Sequence, residues 1–542
     1  MYQITEGVNM KMTFKKVLSV VLCLMLMGTV MAPSAFAAYD PDVAINEEVS
    51  GFNKALYNVL DVVIDKLVGA INRLIPTPAA WENKAEYVSE GVMPGTEEFL
   101  DAPAEGAYWS MGYSNASILT ENVKDGKHFV GGSLSVSDKT VGEIYDDLKV
   151  RTVAMSDNSS RGIVVFAIVD SYGMSSTQVR EIRAKMADYC KANNIVSLNI
   201  SALHQHSAVD TFGLNGSIAG ALLNPFRAEP KNGINAEYMD NLCNVLAATV
   251  DEAVNSMTKG VLYHGTADFS EYVTDKRDPQ VLAADFDRFR FVPENGGREI
   301  WFTTSAIHCV GNGAGGTDIT GDYPYYMEQY INETYNADFL MILGAEQGTT
   351  QDHDSFEFPE EYTTPERLTV YGKALSDRFA SIDNEKEVAP LLNIRSTETF
   401  YTIKNQILVF AGKMGLISNR VVVNGSEYQV VSEIGYMELG EDLAVALVPG
   451  EAAAELFYGG ALSADKAWTG TDWEYAPIQD MAEGRKVIVF GMINDQIGYV
   501  IPDNDYMALL EPSNKSLELV ATGSATASTM VNDFEKLIAS VK

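Results

Sequence analysis

The feature that most constrains the fold is a strand–helix–strand run between residues 162 and 200. Gly162-Ile163-Val164-Val165-Phe166-Ala167-Ile168-Val169-Asp170 is almost wholly apolar, which suits a strand buried on both faces. Residues 178–193 carry apolar positions at helical spacing, and Asn194-Ile195-Val196-Ser197-Leu198-Asn199-Ile200 then alternates as a strand does. Two strands joined through a helix lie parallel, with a right-handed crossover. Loops at the strand ends of such sheets converge on a crevice, where sites gather.

The same texture continues. Helical patterns cover 236–257, 324–335 and 365–382, and strand patterns cover 261–266, 286–292, 300–307 and 339–343. After residue 384 short alternating runs take over, at 397–403, 421–423, 428–431 and 443–448, with turn pairs such as Asn424-Gly425 between them. A helical pattern at 526–541 closes the chain. The expected fold class is α/β: a mixed sheet flanked by helices, with a more antiparallel, β-rich C-terminal lobe from about residue 390. Before this region, Phe52, Leu56, Val59, Leu60, Val63, Ile64, Leu67, Ile71 and Leu74 mark a helix stripe that Pro76 and Pro78 end. Its polar face carries few cations, so docking on its own domain is preferred to a membrane surface.

The chain has 542 residues and a formal net charge of −35. That charge disfavours nucleic acid and anionic lipid as partners. Residues 10–37 read as a secretory leader, with Lys11, Lys15 and Lys16 before an apolar run and Ala35-Phe36-Ala37 as the small-x-small cleavage pattern. A secreted, extracellular product follows as the expectation. The expected domains are this leader at 1–37, a helical extension and linker at 38–105, and a catalytic unit at 106–542. Beyond the leader only Cys190, Cys243 and Cys309 remain, with no metal-type spacing and at most one disulfide. No obligate protein partner is evident.

Ser201-Ala202-Leu203-His204-Gln205-His206-Ser207 holds two of the six histidines at the end of the second strand. Residues i and i+2 of a strand share a face, so both imidazoles would point one way. Paired imidazoles suit a metal, or a ligand beside a proton-transfer base; two surface histidines in a polar loop is the bland alternative. His308 ends the 300–307 strand pattern, where a satisfied core-edge histidine is the competing reading. The glycine run after it matches G-x-G-x-x-G, but no helix opens directly on it, so the match is taken as chance. Glu451, in Val448-Pro449-Gly450-Glu451, could complement a helix dipole or ligate a metal. Tyr499, after Asn494-Asp495-Gln496-Ile497-Gly498, reads as structural by itself.

Taken together these segments resemble the neutral/alkaline, non-lysosomal ceramidase family. The stretch 201–207 is similar to its S-A-T-H-T-H-S signature, and Ser305-Ala306-Ile307-His308 to its second histidine segment. Thr320-Gly321-Asp322-Tyr323-Pro324-Tyr325-Tyr326 is similar to S-x-D-Y-P-G-Y, and Val448–Glu451 and Asn494–Tyr499 fall in order as its C-terminal landmarks. The resemblance implies one Zn2+ held by His204, His308, Glu451 and Tyr499, with His206 as general base, and hydrolysis of an N-acyl amide, ceramide or a related lipid amide. It also aligns Arg277 with an arginine near the substrate; the expected partners are this small-molecule or lipid amide and, transiently, a membrane surface. A surface charge in a turn is the equal alternative for Arg277.

The pattern departs from the family in places. Ser207-Ala208-Val209 stands where S-G-P is usual, and Thr350 is the hydroxyl nearest the family's G-D-V-S/N-P serine, one position out of alignment. Glu511 falls where the family has an oxyanion-donor tyrosine, and the immunoglobulin-like C-terminal domain has no counterpart here. The alternative is therefore a catalytically weakened or inactive extracellular binding protein of the same fold. A serine hydrolase is disfavoured, because no G-x-S-x-G elbow occurs.

Overall fold

The structure is a computed structural model that describes residues 51–132, 140–213, 232–275, 277, 280–346, 349–351, 358–359, 361–509 and 517–542. The leader at 10–37 and Glu511 lie outside the described residues.

The strand–helix–strand unit forms as its sequence requires. Ile163–Val169 pairs in parallel with Ile195–Ala202, and helical residues connect them. The connection is two helices, Ser176–Lys185 and Ala187–Ala192, with a break at Met186. Ser175 caps the first, its side chain accepting from the Gln178 amide while Gln178 reaches back to the Ser175 backbone.

These two strands are one edge of a nine-stranded mixed sheet. Its order is Ala337–Leu343, Glu299–Ser305, Asp285–Pro293, Thr258–Asp268, Trp109–Ser117, Lys149–Ser156, Ile163–Val169 and Ile195–Ala202, with Lys386–Glu387 also on Thr258–Asp268. The opposite edge is a second parallel pair, Ala337–Leu343 on Glu299–Ser305, and the strands between run antiparallel. Thr152 faces outward from this sheet to Thr249 of the helix Ala236–Asn255, hydroxyl to hydroxyl at 2.9 Å. The other face meets a second sheet, with Phe166 edge-on to Phe490 at 5.4 Å.

The second sheet holds Glu82–Asn83, Val421–Asn424, Glu427–Leu439, Leu443–Leu447 and Lys486–Phe490, with Leu392–Thr402 paired to Glu427–Leu439. Most of its pairs are antiparallel; Leu443–Leu447 and Lys486–Phe490 run parallel. The strands Leu443–Leu447 and Lys486–Phe490 read as near-continuous apolar runs because both their faces are buried. Leu443, Val445 and Leu447 point into the core shared with the first sheet. Ala444, Ala446 and Val448 pack with Met530, Phe534 and Leu537 of the closing helix Thr526–Val541. A sheet, and not a second layer of helices, therefore covers the inner face of the first sheet.

Twist does the rest of the positioning. The first sheet curls until the edge strand Ala337–Leu343 reaches back over its own middle, and the Tyr113 hydroxyl donates to the Phe339 carbonyl at 3.0 Å. The two parallel pairs start at opposite edges, yet their C-terminal ends meet. The Cys309 carbonyl accepts from the His206 amide at 3.1 Å, and the Ser207 hydroxyl accepts from Asn312 at 3.1 Å.

Among the described residues no helix is long and apolar enough to cross a membrane. Cys190, Cys243 and Cys309 are all free.

Candidate metal centre

Four groups at this meeting point come from the turns just past four strand ends. Tyr172 follows Ile163–Val169, His204 and His206 follow Ile195–Ala202, His308 follows Glu299–Ser305, and Glu346 follows Ala337–Leu343. The histidine strand stops at Ala202, two residues short of His204, so shared strand faces do not explain how the imidazoles converge. His204 instead takes a left-handed backbone (φ 51°), which turns the chain and brings His206 round. Such a backbone is costly for a residue with a Cβ and persists where surrounding structure enforces it. Likewise His308 lies three residues beyond its strand.

One ring nitrogen from each of His204, His206 and His308 lies within 4.8 Å of the other two, and all three side chains are buried. Glu451 closes the group. It is not on a first helical turn: Glu451–Ala452 is a two-residue strand paired in parallel with Tyr499–Val500, Glu451 opposite Tyr499. That register sets the carboxylate and phenol side by side, and the Tyr499 hydroxyl reaches the Glu451 carboxylate. The Tyr499 ring also stacks on His308, with centroids 6.4 Å apart. The segment bearing Tyr499 is fastened to the histidine strand by Asn494, whose amide donates to the Ile200 carbonyl and whose side chain accepts from the Ile200 amide.

The donor chemistry of this cluster fits a cation. The His204 Nδ1 lies 2.9 Å from the Tyr172 carbonyl, which can only accept, so Nδ1 carries the proton. Its Nε2 is thereby a lone pair unless the ring takes a second proton, yet it faces Glu451 Oε2 at 3.3 Å. His308 Nε2 faces the same oxygen at 3.0 Å, with its Nδ1 3.7 Å from Glu346 Oε2. Two imidazole nitrogens and one carboxylate oxygen aimed at each other need positive charge among them, from protons or from a metal. The outward-facing Nδ1 of His204 meets an acceptor, the arrangement that fixes the tautomer of metal-binding histidines, and that of His308 faces Glu346 at longer range.

Without a metal, protons fill that role. Burial works against charging His204, but the Glu451 carboxylate outweighs it and raises His204 to about 9. Glu451 is held well below the usual carboxylate range: burial raises it, and His204 and His308 more than compensate. His206 goes the other way. Burial, then the charges of His204 and His308, push it well below the ordinary imidazole value, so it is neutral. The backbone of Gly132 lies against it; a Cβ there would come 2.3 Å from His206 Cα, and Gly132 has φ +90°, so this approach needs glycine.

Glu346, Tyr172 and Gln496 are parts of the site that the sequence reading did not single out. Gln496 Nε2 donates to Glu451 Oε1 at 2.8 Å, holding the carboxylate from the side away from the histidines. Glu346 is fully buried, and burial pushes its carboxyl well above the usual range. The one available signal was position, since Tyr172 and Glu346 each lie within three residues of a parallel strand's C-terminal end.

The other candidates sit elsewhere. Thr350 is in the strand Thr349–Gln351, paired with Val273–Asp275 opposite Thr274. Arg277 is not in open solvent: its guanidinium is buried, 3.0 Å from Glu518 Oε1 and 2.9 Å from Asp505 Oδ2, and it also donates to the Asp505 carbonyl.

No family model and no curated protein matches this chain. Solved structures do match. The neutral ceramidase from Pseudomonas aeruginosa superposes with a TM-score of 0.61 at 13% identity, over 80% of this chain and 74% of that one. A ceramidase complexed with C2 superposes with a TM-score of 0.59 at 14% identity, over 80% of this chain and 75% of that one. The fold is ceramidase-like. At such identities the likeness concerns the backbone, and the chemistry rests on the buried cluster itself.

Proposed function

We propose that this protein is an exported, zinc-dependent amide hydrolase acting on N-acyl amides, ceramide or a related lipid amide among them. The observation that carries the reading is the convergence of His204 Nε2 and His308 Nε2 on one oxygen of Glu451. The ceramidase-like backbone supports it. His204, His308 and Glu451, with Tyr499 beside Glu451, would hold the ion. Two imidazoles and a carboxylate are a common catalytic zinc set, and three such protein ligands leave a position for water.

Zinc held there supplies Lewis acidity, which brings the pKa of water towards neutrality and polarises an amide carbonyl. His206 does the proton work. It is neutral at working pH, because burial and its two histidine neighbours disfavour its charged form, so a ring nitrogen can accept a proton from water. It then returns that proton to the amine nitrogen as the C–N bond breaks, giving a carboxylic acid and an amine. Gln496 keeps Glu451 oriented, Tyr172 fixes the ring of His204, and Glu346 stands 3.7 Å from His308 Nδ1. Arg277 and Thr350 enter as secondary proposals, for substrate binding and for a hydroxyl near the reacting carbonyl. Export rests on the leader pattern at 10–37, and the catalytic unit is taken as 106–542 with 38–105 as an extension.

The test is turnover of a panel of N-acyl amides of differing chain length and headgroup, by zinc-loaded and chelator-treated protein. Release of free acid by the loaded protein alone is expected. Equal background from both, with a ligand still bound, would favour a binding protein of the same fold.

A further inference from the structure

We propose that the helix Gly51–Asn72 docks the protein onto a neutral, zwitterionic lipid surface. This helix is amphipathic in the inverted sense. Its polar side chains face the protein: Asp61 accepts from the Leu509 amide at 3.2 Å, and Asp65 from the Gln406 backbone. Its C-terminal turns are fastened by Val68 and Ile71, which pack on Phe410 and Leu416, and by Asn72, which donates to Gln406. Its apolar stripe faces away. Leu56, Val59, Leu60, Val63 and Leu67, at i, i+3, i+4, i+7 and i+11, are 46%, 60%, 37%, 55% and 36% exposed, and Leu74 extends the line at 62%. None of these six lines the cleft of about 580 Å3 between the helix and the body, whereas Asn58, Asp61 and Asp65 do.

An apolar stripe that a protein could have turned inwards, and did not, calls for an occupant. Two features favour lipid over a second copy. The stripe is one side chain wide along a single helix, six residues between 36% and 62% exposed. That is a narrow patch beside the roughly 800 Å2 per partner that a stable dimer buries. The chain also carries a formal charge of −35, so two copies repel. A bilayer has neither requirement. The carboxylates Asp61 and Asp65 lie off the stripe, and the exposed cation Arg73 stands beside its C-terminal end, where its stem can reach along the interface to the headgroups. The overall negative charge selects zwitterionic over anionic lipid.

The inference stands apart from the amidase reading, because its readout needs no turnover. The full chain is sedimented with phosphatidylcholine vesicles, beside the double variant V59Q/V63Q. Both positions are exposed and glutamine is the better helix former, so the fold is retained. Wild type should co-sediment, the variant should partition at least about tenfold less, and N58A, on the other face, should match wild type. Replacing part of the phosphatidylcholine with phosphatidylserine should weaken binding at low salt. A wild type that stays in the supernatant, or a variant that binds equally, overturns the proposal. So does a dimer, seen by light scattering, that V59Q/V63Q splits without any vesicle binding.

Discussion

His204 faces Glu451 across 3.3 Å, Nε2 to Oε2, while its other ring nitrogen is committed to the Tyr172 carbonyl. A neutral imidazole in that position would aim a lone pair at a carboxylate. The pair therefore holds either an extra proton or a cation, and His308 Nε2 lies 3.0 Å from the same oxygen.

His206 is separable from this pair. Its ring is close to both histidines but makes no ion pair with Glu451 among the described contacts. H206A should keep zinc and lose turnover by about 10²–10⁴, the usual worth of a positioned general base. Metal content and kcat measured on one preparation check this; loss of both together would make His206 a ligand.

Glu346 Oε2 lies 3.7 Å from His308 Nδ1, and under the proposed function it would act on zinc through His308. Removing such an outer carboxylate typically weakens metal affinity about 10–100-fold. E346Q should show that loss in a competition titration against a chelator, with the fold intact by circular dichroism. Unchanged affinity would reduce Glu346 to a packing role.

Zinc uptake should depend on pH. Metal-free His204 is raised from 6.5 to about 9, so at neutral pH zinc must displace its proton. Apparent affinity then rises by about tenfold per pH unit and levels off near the raised value. Stability of the metal-free protein runs oppositely: the His204–Glu451 contribution is complete below about 6.5 and is lost as pH rises through about 9. Calorimetric titration in buffers of different ionisation enthalpy reads the released proton directly.

Arg277 gives a structural prediction. Its partners Glu518 and Asp505 are buried with it, so R277A strands two carboxylates and should cost about 3–5 kcal/mol. Denaturant unfolding measures this. An unchanged midpoint with a raised KM would assign Arg277 to the substrate instead.

The sequence carried much of the fold, because residues 162–200 have unambiguous periodicity and a strand–helix–strand unit has one sensible topology. The strands Trp109–Ser117 and Lys149–Ser156, central to the first sheet, were not legible: they mix serine, asparagine, arginine and threonine with apolar residues. The face-to-face packing of two sheets was hidden too, since an apolar run does not say whether a helix or a sheet covers it. At the site, His204, His206, His308, Glu451 and Tyr499 were named from local patterns and resemblance. The reason they meet lies in sheet curl and in the Glu451–Tyr499 strand pairing, which local patterns cannot encode. Glu346 escaped notice because a lone carboxylate in a Gly-Ala-Glu turn has no motif.

The most direct measurement is zinc per chain in protein purified without added metal, alongside H204A, H308A and E451Q. The account predicts about one zinc per chain in wild type, removable by chelator and restored by added zinc, and far less in each variant. A folded wild type that holds no zinc before or after its addition would contradict it.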